Sequence, residues 1–258
     1  MNIVVLLKQV PATESLIRIT DDGKTIRRDD LKWVMNPYDE MAVEEALQVR
    51  QAHGGQVTVL SLGPEKCVEA LRTALAMGAD KALRVEATDA AHDPLATAKI
   101  LKAALGEIPF DLILAGHRAV DSDDYQVGSA VAELLDIPVI NMVIEQEIEA
   151  GQIRCTRTID GGTEVIQAPL PALITTQRGL NEPRYASLPG IMKAKKKPIE
   201  TRTIEELGLS AEALAPQVWI ERMALPPERS AGRIIQGDSA QAKVDELVKL
   251  LHETEKVI

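Results

Sequence analysis

A chain of 258 residues can form one large α/β domain or a domain with an extended arm, and 45% apolar with 26% charged residues is an ordinary globular balance that disfavours disordered and membrane-spanning classes. Aromatic residues are only 2% and the formal net charge is −10, which argues against a base-stacking surface and against the basic excess of a nucleic-acid binder. Cys67 and Cys155 stand far apart and outside any C-x-x-C pair, so neither a disulfide framework nor a metal site is expected.

The N-terminus runs directly into Ile3-Val4-Val5-Leu6-Leu7, too short for a signal-peptide core and without the Arg and Ser of a transit peptide; a cytoplasmic protein without a leader is expected. The apolar run from Ile3 to Val10, ended by Pro11, reads as one central strand buried on both faces. Asp21-Asp22-Gly23 places a turn inside a hairpin between Ile17 and Thr25. Asn36, Pro37, Asp39 and Glu40 form a helix start, with Asn36 as N-cap, and Met41, Val43, Ala46, Leu47 and Val49 continue at near-helical spacing up to Gly54-Gly55. Gln56 to Leu62 follows as a strand, Glu65 to Met77 as a helix stopped by Gly78, Ala82 to Val85 as a strand and Pro94 to Leu105 as a helix. Asp111 to Ala115 is a strong strand closing on Gly116, Val127 to Leu135 a helix, and Val139-Ile140 the start of another strand. From Ile144 shorter alternating stretches, 151–157 and 164–167 around Asp160-Gly161-Gly162, read as an antiparallel ribbon, and Leu173 to Thr176 as the last strand. Beyond Pro189 the Pro-rich, weakly periodic chain reads as an arm, closed by an amphipathic helix from Ala240 to Leu251. Alternating strands and helices predict an α/β fold with a doubly wound, mostly parallel sheet, an antiparallel ribbon and an extended C-terminal arm.

In such a sheet, ligands bind beyond the carboxyl ends of the strands, where the strand order reverses. The segment Gly116 to Gly128 is the most informative strand end, because a small polar run before a helix offers backbone N–H groups to an anion. Asp121, Asp123 and Asp124 would repel a phosphate and suit capping or ribose hydroxyls better. Neither G-x-G-x-x-G after the first strand nor a P-loop is present. His53, His92, His117 and His252 are isolated, and Glu44-Glu45 and Asp123-Asp124 diverge too much for an acid/base pair, so no catalytic residue is assigned. Lys193 to Lys197 follow Leu188-Pro189-Gly190, which sets an exposed Leu188 on a Pro-stiffened turn beside a basic cluster, a form suited to docking a transient protein partner.

The segment GLNEPRYASLPGIMKAKKK, Gly179 to Lys197, resembles the partner-recognition region of electron-transferring flavoprotein β subunits. Val34 to Ala46, Arg72 to Asp80, and Arg157 to Glu164 with Leu170 to Leu173 are similar to other motifs of that family, and the likeness runs to about Glu200. The resemblance implies an adenine-nucleotide α-hydrolase-like sheet in residues 1–200, carrying the recognition segment near 182–197, and an arm and helix in 201–258 packed on an α subunit. It implies a heterodimer whose FAD is held mainly by α, with AMP in this subunit against Leu6, Asn36, Pro37, Tyr38, Asp39, Leu62, Gly116, Asp121, Asp123, Asp124, Tyr125, Gln126 and Val127. Leu188 would anchor a dehydrogenase such as an acyl-CoA dehydrogenase, with Pro189, Ile191, Met192 and Lys193 beside it and Glu164 as a hinge contact; a quinone oxidoreductase or similar protein would take the electrons. Neither nucleic acid nor direct membrane insertion belongs to this expectation. Two alternatives are a bifurcating relative with a second FAD in place of AMP and a non-redox adenine-nucleotide-binding module. The bifurcating branch often reads D-G-D-T-A-Q-V-G where this chain has Asp121-Ser122-Asp123-Asp124-Tyr125-Gln126-Val127-Gly128, so Asp124 and Tyr125 favour AMP.

Overall fold

The strand order of the main sheet explains where its crevice lies. A computed structural model describes residues 1–87, 93–228 and 231–258, so His92 lies outside the described residues. In the unit Met1–Glu221, the elements run β1 (Asn2–Leu6), β2 (Gln9–Pro11), β3 (Trp33–Met35), α1 (Pro37–His53), β4 (Gln56–Gly63), α2 (Val68–Met77), β5 (Lys81–Glu86), α3 (Pro94–Leu105), β6 (Leu112–Gly116) and α4 (Val127–Leu135). They continue as β7 (Val139–Glu149), β8 (Gln152–Ile159), β9 (Gly162–Pro169), β10 (Ala172–Thr176), α5 (Leu188–Lys196) and β11 (Glu200–Arg202). Nine strands form one sheet in the order β11-β5-β4-β1-β6-β10-β7-β8-β9, parallel from β11 to β7 and antiparallel through β8 and β9. The mostly parallel, doubly wound α/β architecture and its antiparallel ribbon are as the sequence predicts.

Two apolar layers cover the sheet. On one face Ile3, Val5, Val57 and Val59 pack with Ala46 and Leu47 of α1 and with Leu71 and Leu75 of α2. On the other, Val4, Leu60 and Ile113 pack with Ile100 and Leu101 of α3 and Val131 of α4. Because neighbouring residues on a strand point to opposite faces, this double burial is why the central strands are continuous apolar runs.

Several local expectations change. The run from Ile3 to Val10 is two strands: the chain leaves the sheet after Leu6, and Gln9–Pro11 pairs antiparallel with Trp33–Met35 in a separate two-stranded sheet. The predicted hairpin at Ile17 to Thr25 is reduced to a single Ile19–Ile26 bridge. The stretch beyond Ile144 belongs to β7, whose register shifts between Val143 and Glu145 as it passes from the parallel sheet into the ribbon. Leu173 to Thr176 is a central strand between β6 and β7, and β11 follows it as an edge strand along β5. The segment around Leu188, expected as a turn, is a helix: Ser187 accepts the amide of Gly190 and starts α5, with Pro189 in its first turn.

In the second unit, Arg222–Ile258, Ser239 caps α6 (Ala240–Lys249), a π-turn spans Leu250–Thr254, and no residue of α6 is buried. Among the described residues, no helix is long and apolar enough to cross a membrane.

Candidate functional site

The chain winds outward from β1 to β4 and β5, then returns to β6 on the other side of β1. The reversal therefore lies between β1 and β6, and their carboxyl ends open the crevice. Asp39, in the first turn of α1, ties the two ends together: its carboxylate accepts the Lys8 amide at 2.7 Å and the Gly116 amide at 2.9 Å. Asn36 starts α1, yet its side chain makes no cap bond. Its Nδ2 donates to the carbonyl of Arg118 at 2.8 Å and its Oδ1 accepts the amide of Val120 at 3.2 Å, which fixes the loop after β6. Thr176 donates to the Tyr38 carbonyl at 2.8 Å from the end of β10.

Gly116 is required by space. A Cβ there would fall on Asp39 Oδ1 and within 2.8 Å of the Tyr38 Cβ. Gly128 similarly lets α4 lie close on β10, where a Cβ would meet Thr175 Cγ2 at 3.0 Å.

Arg118 organises the exposed half of the loop. Its guanidinium donates to Asp123 at 3.0 Å, to the Tyr125 hydroxyl at 2.7 Å and to the Tyr38 hydroxyl at 3.2 Å, and lies over both tyrosine rings at 5.2 and 5.6 Å. His117 packs edge-on against Tyr125 at 4.9 Å. Asp123 and Tyr125 hold left-handed backbones, φ 51° and 59°, a costly conformation for a tyrosine that these contacts offset. Lys8 pairs with Asp121 at 2.9 Å. Burial pushes the Asp39 carboxyl up to about 7, against the opposing pull of the Lys8 amide, Asn36 and the Gly116 amide. Burial and the neighbouring Arg118 lower the His117 pKa, which favours a neutral imidazole.

The structure thus joins Leu6, Asn36, Pro37, Tyr38, Asp39 and the loop from Gly116 to Val127 in one place, with Leu62 near the end of the adjoining β4. Asp39 and Asn36 face inward and build the walls, so the groups left for a ligand belong to the loop. Asp124 and Gln126 are exposed and their side chains make no hydrogen bond among the described residues. Gln126 starts α4 without a side-chain cap, leaving first-turn backbone amides for a phosphate. These donors, with carboxylates suited to ribose hydroxyls, fit an adenylate.

A second surface carries the other predicted residues. Leu188 is 75% and Met192 56% exposed on α5, beside Pro189, Ile191 and Lys193. Glu164 is on β9, away from this helix in sequence, and pairs with Arg157 of β8 at 3.5 Å. Sequence reasoning missed the roles of Arg118 and His117 within the loop. The spacing of Arg118 and Asp123, five residues apart in a short loop, was the available signal.

The sequence matches the family model for the electron transfer flavoprotein domain over residues 24–207. It is 43% identical over 260 residues to the electron transfer flavoprotein subunit beta of Bacillus subtilis, covering 100% of both chains. The mitochondrial subunit beta of Arabidopsis thaliana is 38% identical, again over 100% of both chains. That of Homo sapiens is 36% identical over 97% of this chain and 99% of its own. Matches of this extent and coverage settle the lineage: the chain belongs to the electron transfer flavoprotein family, among its β subunits.

Proposed function

We propose that this chain is the β half of a heterodimeric electron carrier, working with a flavin-bearing α subunit in the cytoplasm. FAD, when bound in the heterodimer mainly by α, supplies the redox chemistry. This chain supplies a frame, a structural AMP site and a docking surface. AMP lies in the crevice, its phosphate on the first amides of α4, its ribose near the loop carboxylates and its base toward Leu6 and Leu62. Leu188 docks a dehydrogenase, acyl-CoA dehydrogenases being the expected class, with Ile191 and Met192 around it and the lysines steering an acidic partner. Glu164 contacts the mobile flavin domain, residues 201–258 pack on α, and a quinone oxidoreductase or similar protein accepts the electrons.

The observation that carries the AMP reading is Tyr125. Its ring and hydroxyl are engaged by His117 and Arg118, filling the part of the loop where a bifurcating relative has a small residue. Isolating the heterodimer and releasing its nucleotides tests this reading. One FAD and one AMP per complex is expected. Two FADs would replace it with the bifurcating alternative, and adenine nucleotide without any flavin or α partner would replace it with a non-redox module.

A further inference from the structure

The two adjacent carboxylates of α1, Glu44 and Glu45, are each only 4% exposed, and both bind the chain that leads into α5. Glu44 Oε2 accepts the Arg184 backbone amide at 3.1 Å and its Nε at 2.7 Å, while Oε1 accepts Arg184 Nη2 at 2.8 Å and Gln48 at 3.0 Å. Glu45 accepts Asn181 at 2.8 Å and Gln146 of β7 at 2.7 Å, and Asn181 also donates to the Met41 carbonyl at 3.1 Å. Burial opposes ionisation of Glu44, but the Arg184 and Gln48 bonds outweigh it and hold its carboxyl below the usual range.

The far end of α5 is fastened separately to α2. Arg72 donates to the carbonyls of Ala194 and Lys197, Lys197 reaches the Ala79 carbonyl at 2.5 Å, and Ala194 is buried in the core. A short helix with Leu188 and Met192 open to solvent is therefore mounted at both ends. We propose that the Arg184–Glu44 fork, backed by Asn181–Glu45, is a positioning clamp that presents the docking helix in its binding geometry before the partner arrives. It rests on the docking reading of Leu188 given above. The physical warrant is preorganisation: a segment already ordered in the free protein loses less entropy on association, and the two-nitrogen fork of Arg fixes orientation as a lysine cannot.

The heterodimer tests this, with a dehydrogenase as electron donor. Glu44→Ala with Arg184→Ala removes both partners, so no buried charge is left bare. The expected result is a KM for the heterodimer raised about tenfold with kcat unchanged, normal FAD and nucleotide content, and faster amide exchange over residues 181–191. Arg184→Lys, which keeps the charge but loses the fork, should move KM in the same direction. If the double variant fails to fold, Asn181→Ala carries the same expectation more weakly. Adding Leu188→Ala to the clamp variant should raise KM by less than the two effects combined, since both act through one helix. An unchanged KM in the clamp variants while Leu188→Ala raises it would overturn the clamp alone. No effect of Leu188→Ala would overturn the docking reading, and the clamp with it.

Discussion

The crevice and α5, the helix proposed to dock a partner, are built on opposite principles within the same unit. Around the crevice, side chains from distant parts of the chain satisfy one another: Asp39 holds two strand ends, Asn36 the loop, and Arg118, at the surface, three partners. On α5 the polar bonds all run through the mounting, while Leu188 and Met192 lie in solvent. Alterations in the crevice should therefore appear first as lost folding stability. Alterations of the outer face of α5 should leave stability alone and appear as lost association.

The largest expected effect concerns Asp39. Its carboxyl is raised to about 7 in the folded chain, so the native state binds more protons than the unfolded chain between the ordinary carboxylate range and that value. The contribution of Asp39 to stability is greatest below the unfolded pKa and declines as pH rises toward 7, by roughly 4 kcal/mol in total. Denaturant titrations of the wild type and Asp39→Asn from pH 4 to 8 check this: the variant should lose that slope, and parallel profiles would refute the assignment. Next, Gly116→Ala should cost about 3 kcal/mol, because the new Cβ meets the buried Asp39 carboxylate, the Tyr38 Cβ and the Asn36 amide, side chains held by their own hydrogen bonds. A midpoint unchanged in urea would show that the two strand ends are looser than described.

Leu188→Ala should change stability by no more than about 0.5 kcal/mol yet weaken docking by about 2 kcal/mol, readable by titration calorimetry against the dehydrogenase. Equal losses in both measurements would erase the contrast between the two regions. The smallest effect is expected at the lysines of the last turn. Lys195→Gln should slow association several-fold at low salt and little at high salt, as about one Debye length of screening removes steering by an exposed charge.

Much of the scaffold was legible because its signals are local. The helices Pro94–Leu105 and Val127–Leu135 have the boundaries that their spacing predicts, and Asp93 caps the first through the Ala96 amide. The errors arise where a distant neighbour decides. Nothing in the run from Ile3 to Val10 reveals that Lys8 turns its amide to Asp39 and leaves the sheet. Glu200-Thr201-Arg202 has no apolar pattern because an edge strand with exposed side chains needs none. Pro189 and Gly190 suggest a turn, yet both fit the first turn of a helix whose N-cap is Ser187. At the site, Asn36 reads correctly as the start of α1, but its amide serves the loop eighty-odd residues away in sequence. Glu44 and Glu45 diverge on the helix as their adjacency implies, while the partners that explain their burial, Arg184 and Asn181, lie about 140 residues along the chain.

The seat of α5 on α2 also bears on redesign. A Cβ at Gly190 would stand 2.5 Å from the carbonyl oxygen of Ala76, whereas Leu188 and Met192 are mostly exposed to solvent. A library randomised at the outer positions, with Gly190, Ala194 and Arg72 held constant, should retain its fold through nearly every member. Under the docking role proposed for Leu188, partner preference could then be rewritten by a handful of codons, while the frame that carries it stays untouched.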